Sequence, residues 1–246
     1  GYYTTGSYNT FVGYKAGHGG TTSAPYSSGA NNTALGFQAL TSFTTGHTNI
    51  AIGYQAMQAA TTTHDSIAIG YQALQYGGQD NNIAIGYQAG QNITSARYNV
   101  IIGDSAGNAL TDANTNENVI IGNAAGRYAD AATNAAHYNV YIGSNAGTYM
   151  DDGDSNVYIG REAGKGSGTG NNATINVLIG YQAGTSISTA DAEVAVGYQA
   201  AYSLTSGGYN SSLGHKALYY NQTGNSAVAI GPSAGYMFGR GNHTPV

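Results

Sequence analysis

Two apolar, mostly β-branched residues recur two positions apart along the whole chain, each pair closed by a Gly and followed three residues later by an Ala. The plainest copy is NIAIGYQAG at Asn82 to Gly90. The central Gly returns thirteen times between Gly13 and Gly231, most often 17 residues after its predecessor and at most 23. Counting from that Gly, the residue before it is Val, Ile or Leu in every copy. Three before it stands Val or Ile in ten of thirteen, with Thr10, Thr33 and Ser211 as the exceptions. An apolar period of two over so few residues predicts a short strand with one buried face. On this reading the rows at −3 and −1 point inward.

The remaining positions define a coil. All thirteen copies carry Ala at +3, from Ala16 to Ala234, so no larger side chain fits there. A looser apolar position at +7, held by Phe43, Ala60, Ile93, Leu110, Ala129, Met150, Ile187, Leu204 and Phe238 among others, predicts a second inward strand. The Gly itself is expected to turn the chain at positive φ or to let another backbone pass too close for a Cβ. Asn stands at −4 in ten copies and is expected to form a ladder bonding the next coil's backbone. The expectation is an all-β fold, a parallel β-solenoid (β-roll) of about 13 coils running through residues 1–246 as a single array, with a length of roughly 60 Å at the strand spacing. The Gly density and the lack of a 3.6-residue period exclude a helical solenoid.

Position −2 is expected to point away from the core. It is nevertheless apolar in twelve copies, including Phe11, Ile101, Ile120, Tyr141, Tyr158 and Leu178. A strand apolar on both faces is ordinarily buried on both, so these six residues are the expected oligomer interface.

The core VxIGxxA or AIGYQA resembles the repeats of trimeric autotransporter adhesin heads, in which SVAIGxxS motifs form a left-handed parallel β-roll of three chains. It is also similar to AIGYQA-rich arrays of phage tail fibres and related bacterial surface fibres. The resemblance covers Asn9 to Ala234 and implies a homotrimer or head-to-tail fibre, extracellular, on a cell surface or virion. The units here are longer than the adhesin-head repeat, so the segment after the Ala is expected to be an elaborated loop or an extra short strand. Thr244 to Val246 match the positions before a repeat Gly and Gly1–Tyr2 those that follow one. Both ends are therefore expected to be unfinished coils, of a longer fibre or of subunits completing one another.

Composition narrows the function. The 246 residues include 38 Gly, 22 Tyr, no Cys and no Trp, and only 8% are charged, against ~25% in an ordinary globular protein. That suits a structural or binding protein rather than an enzyme. A net charge of −5 with seven basic residues argues against nucleic acid and anionic membranes. Without Cys there are no disulfides, thiolate zinc sites or Cys nucleophiles. No apolar run is long enough for a helical membrane span.

Candidate chemistry adds little. The acids Asp112, Glu117, Asp130, Asp151, Asp152, Asp154, Asp191 and Glu193 lie in variable segments and read as solvated loop acids. Asp130 with Asp151 could in principle form a glycosidase pair but carries no supporting motif. MDDGDS at Met150 to Ser155 offers oxygen ligands for Ca²⁺ without EF-hand spacing and reads as an exposed acidic turn. No catalytic residue, metal site or cofactor is expected. The tyrosines carry more. Tyr14, Tyr54, Tyr71, Tyr87, Tyr181 and Tyr198 directly follow the motif Gly, where stacked rings can interlock. Tyr26, Tyr76, Tyr98, Tyr128, Tyr138, Tyr149, Tyr219 and Tyr220 sit among Asn, Thr, Ser and Gly, either as a recognition surface or simply covering coil edges. The expected function is a non-catalytic extracellular fibre segment displaying variable loops to a cell-surface glycan or protein. The alternative is a purely structural filament subunit with no external ligand. Ice binding would need Thr in register from coil to coil, and the Thr here are not.

Overall fold

The computed structural model describes residues 2–20, 26–77, 79–110, 115–128, 136–149, 151–168 and 170–239. The chain divides into two compact units, residues 1–118 and 119–246, and the same coil repeats in each. In the first unit the strands are β1 (Thr10–Val12), β2 (Thr33–Leu35), β3 (Ile50–Ile52), β4 (Ile67–Ile69), β5 (Ile83–Ile85) and β6 (Val100–Ile102). In the second they are β7 (Val119–Ile121), β8 (Val140–Ile142), β9 (Val157–Ile159), β10 (Val177–Ile179), β11 (Val194–Val196), β12 (Ser211–Leu213) and β13 (Val228–Ile230). Within each unit, consecutive strands pair in parallel and in motif register, as in Ala51 against Ala68 or Leu178 against Ala195. Each unit is thus an all-β parallel β-solenoid with one three-residue strand per coil.

The motif Gly does both things expected of it. Its φ lies between 120° and 142° at all thirteen motif glycines. A Cβ on Gly122 would meet the carbonyl oxygen of Gly143 at 2.5 Å, so stacked glycines let successive backbones touch. Two non-Gly positions, −5 and +2, also adopt the left-handed conformation in every coil, Thr48 and Ile175 at −5 and Gln55 and Ala124 at +2 among them. Isolated residues tolerate that geometry at a cost. Here the repeated inter-coil hydrogen bonds on both sides hold it, for example Gln72 N–H to Tyr54 C=O at 2.8 Å and Asp65 N–H to His47 C=O at 3.1 Å.

The strand is turned over relative to the sequence expectation. Its central residue, at −2, faces inward: Ile101, Ile120, Tyr141, Tyr158 and Leu178 are at most 1% exposed within this one chain, and Phe11 is half-buried against Phe43. The rows at −3 and −1 face outward and none of their residues is buried. A thin coil has a single interior, and the position facing the Ala row across it owns that interior. Ala at +3 is buried in twelve of the thirteen motif copies, as expected. Phe43, Ala60, Ile93, Leu110, Ile187 and Leu204 at +7 also point inward, but they lie in irregular chain rather than in a second strand. Ala129 and Met150 lie outside the described residues.

A buried Asn ladder closes one corner. The side-chain oxygen at −4 accepts the backbone N–H of the next rung, as from Asn49 to Asn32 and from Asn176 to Asn156, both at 3.0 Å. Its Nδ2 donates to a turn carbonyl, Asn32 to Gly46 at 2.9 Å and Asn176 to Ala190 at 2.9 Å. Buried amides are stable only when so paired.

Candidate functional site

Three surfaces stand out. On the strands' outer face the −3 and −1 rows, such as Ile67, Ile69, Ile83 and Ile85 in the first unit and Val157, Ile159, Val177 and Ile179 in the second, are half-buried. Ile50 and Val194 are exposed at 37% and 43%. The apolar surface available to a neighbour is therefore this face, and not the six residues expected to form an interface, which fill the coil interior.

Beside it, at +1, runs an exposed aromatic ladder. Tyr14, Phe37, Tyr54, Tyr71 and Tyr87 stack with ring centroids 5.0 to 5.2 Å apart. In the second unit Tyr181, Tyr198 and His215 repeat the stack at 5.3 and 5.2 Å, and the Arg161 guanidinium lies 5.6 Å from the Tyr181 ring centroid. The repeat sets this spacing, since every ring leaves the backbone next to a motif Gly. A glutamine ladder at +2 and +5 flanks the rings: Gln55 donates to Gln38, Gln72 to Gln55 and Gln88 to Gln72 at 2.9 to 3.0 Å, and Gln75 and Gln91 donate along their own row to Gln58 and Gln75 and across it to Gln55 and Gln72. The register of Gln at these positions was readable in the sequence once the Gly was taken as origin.

The third surface gathers some of the expected recognition tyrosines. Tyr219 and Tyr220 meet edge to face at 4.8 Å and join Tyr202 and Tyr236, which stack on Tyr219 at 4.9 and 5.2 Å. The Lys216 ammonium lies 5.5 Å from the Tyr219 ring centroid. Desolvation by these neighbours raises the Tyr219 pKa. Tyr128 and Tyr149 stack at 5.4 Å, and Tyr26 stacks on Tyr3 at 6.0 Å. Tyr76 and Tyr98 are exposed on separate coils, and Tyr138 lies beside His137. Within each unit these tyrosines fall into separate groups.

Four of the aspartates are spent on the scaffold. At −6 a side-chain acceptor takes the backbone N–H of the preceding coil: Asp80 from His64, Asp154 from His137 and Asp191 from Thr174, at 2.7 to 2.8 Å. Asp151 is buried and accepts the Gly170 N–H, so the described part of that segment, Asp151 to Ser155, is not a wholly exposed turn. Among the described residues no three His, Asp or Glu side chains gather as a metal site. Asp112 and Asp130 lie outside the described residues.

Glu193 is the exception that spacing alone could have flagged, because it occupies a rung of the Asn ladder. It is fully buried; its Oε1 accepts Asn210 Nδ2 at 2.6 Å while Oε2 has no partner. Burial pushes its pKa up from 4.5 to about 7, against the opposing hydrogen bonds from Asn210. A carboxyl that keeps its proton has one accepting oxygen and one donor, which is what Asn supplies on the other rungs. No family model, curated protein or solved structure matches the chain.

Proposed function

We propose that the chain is a non-catalytic segment of an extracellular fibre, a β-solenoid that trimerises through the outer face of its strands and displays its loops and tyrosine clusters to a cell-surface glycan or protein. The observation carrying this reading is the outer face itself. Parallel strands are ordinarily covered on both sides, and here two β-branched rows remain half-exposed on a chain with few charges. Burying them between copies removes that apolar surface from water at about 25 cal/mol per Å². The scaffold role of Asp80, Asp151, Asp154 and Asp191, which cap backbone amides, agrees with a non-catalytic part.

Light scattering and negative-stain imaging test the proposal. Discrete trimers that fall to monomers on Ile67→Lys with Ile85→Lys, while the monomer keeps its β circular dichroism, support it. Open filaments point instead to a purely structural subunit, and a folded wild-type monomer at high concentration overturns the association.

A further inference from the structure

We propose that the exposed tyrosine ladder is a site of oxidative cross-linking, where stacked tyrosines of consecutive coils couple into dityrosine and staple the coils together. This does not rest on the fibre reading. Tyr54, Tyr71 and Tyr87 stack with centroids 5.0 and 5.1 Å apart and planes within 5° and 10° of parallel. All three residues are more than 40% exposed. They leave equivalent positions on in-register coils, so each ring lies against its counterpart on the next coil. Tyr202, Tyr219 and Tyr236 repeat the arrangement.

Two features of the same chain sharpen the assignment. Phe37 stacks between Tyr14 and Tyr54 at 5.2 and 5.1 Å but has no hydroxyl from which a phenoxyl radical can form, so it isolates Tyr14. Tyr141 and Tyr158 stack equally well at 5.3 Å but are buried, where neither an oxidant nor a proton acceptor from solvent reaches them. Stacking without access therefore separates from stacking with access.

The oxidant is an external peroxide acting in one-electron steps, as through a haem peroxidase. Two phenols each lose one proton and one electron, and the two phenoxyl radicals join by a carbon–carbon bond between ortho positions. Each ortho hydrogen then passes, through solvent, to the oxygen of its own ring, restoring the phenol. One hydrogen peroxide is reduced to two waters for each bridge. Overlapping rings let a radical migrate along the ladder until it meets a second.

The test treats the full chain, at a series of protein concentrations, with a haem peroxidase and limiting hydrogen peroxide. It reads dityrosine fluorescence, intact mass and the map of cross-linked peptides. The expected products are unchanged in chain number, short of hydrogen in pairs, and bridged only between exposed stacked neighbours such as Tyr54–Tyr71 and Tyr71–Tyr87. Tyr71→Phe abolishes those two bridges and leaves Tyr181–Tyr198, whereas Phe37→Tyr brings Tyr14 into the bridged set, through a bridge to position 37. Bridges that form only between chains, or that fall on unstacked tyrosines such as Tyr98 and Tyr209 as often as on the ladder, overturn the proposal. So does an absence of dityrosine under conditions that couple free tyrosine.

Discussion

The ring of Tyr141 fills the space that Gly147 leaves empty: a Cβ on Gly147 would stand 2.8 Å from that ring. The same exchange recurs between positions −2 and +4. Leu178 lies over Gly184 and Ile120 over Gly126, while Ala34, Ala51 and Ala68 share their coils with buried Leu40, Met57 and Leu74. Where both positions are small, at Ala84 and Gly90, Ile93, Ile101 and Leu74 reach in, with methyl groups 2.9 to 3.2 Å from a Cβ on Gly90. Each coil keeps one side chain's worth of filling, since an interior at crystal-like density tolerates neither a void nor an excess.

The first prediction is that Tyr141 and Gly147 are coupled. Tyr141→Ala alone costs about 3–5 kcal/mol through the cavity it leaves, and Gly147→Leu alone costs about 1–3 kcal/mol through overpacking. Leu40 shows that the backbone at +4 accepts a Leu at φ 50°, so the double variant should recover much of the loss. Urea unfolding of all four proteins reads the coupling, and strictly additive losses would show that the two positions do not share space.

Along the Ala row no such exchange partner exists. Ala89, Ala106 and Ala125 are all fully buried, and replacing any of them by Leu should cost about 1–3 kcal/mol. Unchanged melting temperatures in all three variants would contradict the packing.

Removing a rung of the Asn ladder should be worse than the loss of one hydrogen bond. Asn156 accepts the Asn176 N–H at 3.0 Å and donates to the Ala173 carbonyl at 2.8 Å. Asn156→Ala leaves both backbone groups buried and unpaired, at about 1–3 kcal/mol each. The half-buried Asn9 is the control, because water can replace its bonds. Chemical denaturation should show the smaller loss there.

Glu193 makes stability depend on pH. With its folded pKa raised to about 7 from 4.5, the folded state holds a proton that the unfolded state has already released between those values. Stability contributed by the neutral carboxyl is therefore complete below about 4.5, falls as pH rises, and is lost once pH passes about 7. Glu193→Gln carries no charge to bury and should remove this slope. Melting temperatures from pH 4 to pH 9, followed by circular dichroism, decide it: parallel curves for the two proteins would place the pH dependence elsewhere.

The repeat, the strand positions, the stacked glycines, the Ala row and the Asn ladder were legible in the sequence. Each depends on local chemistry that every coil repeats against an equivalent neighbour, so a row of identical residues reports one environment many times over. The corner roles of Asp80, Asp154 and Asp191 were not legible, since a lone acid in a variable segment looks the same whether it faces water or a backbone amide of the preceding coil. Tyr202, Tyr219 and Tyr236 share position +5, so their stack was as readable as the Gln ladder, and only the edge-to-face placement of Tyr220 against them needed the structure.

The face of each strand that lies inside was decided only by the tertiary structure. A three-residue strand such as Val140, Tyr141 and Ile142 is apolar at every position, so its period of two carries no sign. Uniform β-branched rows look like core, and a row varying from Ala to Tyr looks like surface. The Ala row and the +4 and +7 side chains across the coil leave room for one variable residue whose size they can match, and Tyr141 against Gly147 is that match. Val140 and Ile142 are turned outward as a consequence, because parity in a strand puts the neighbours of an inward residue on the other face.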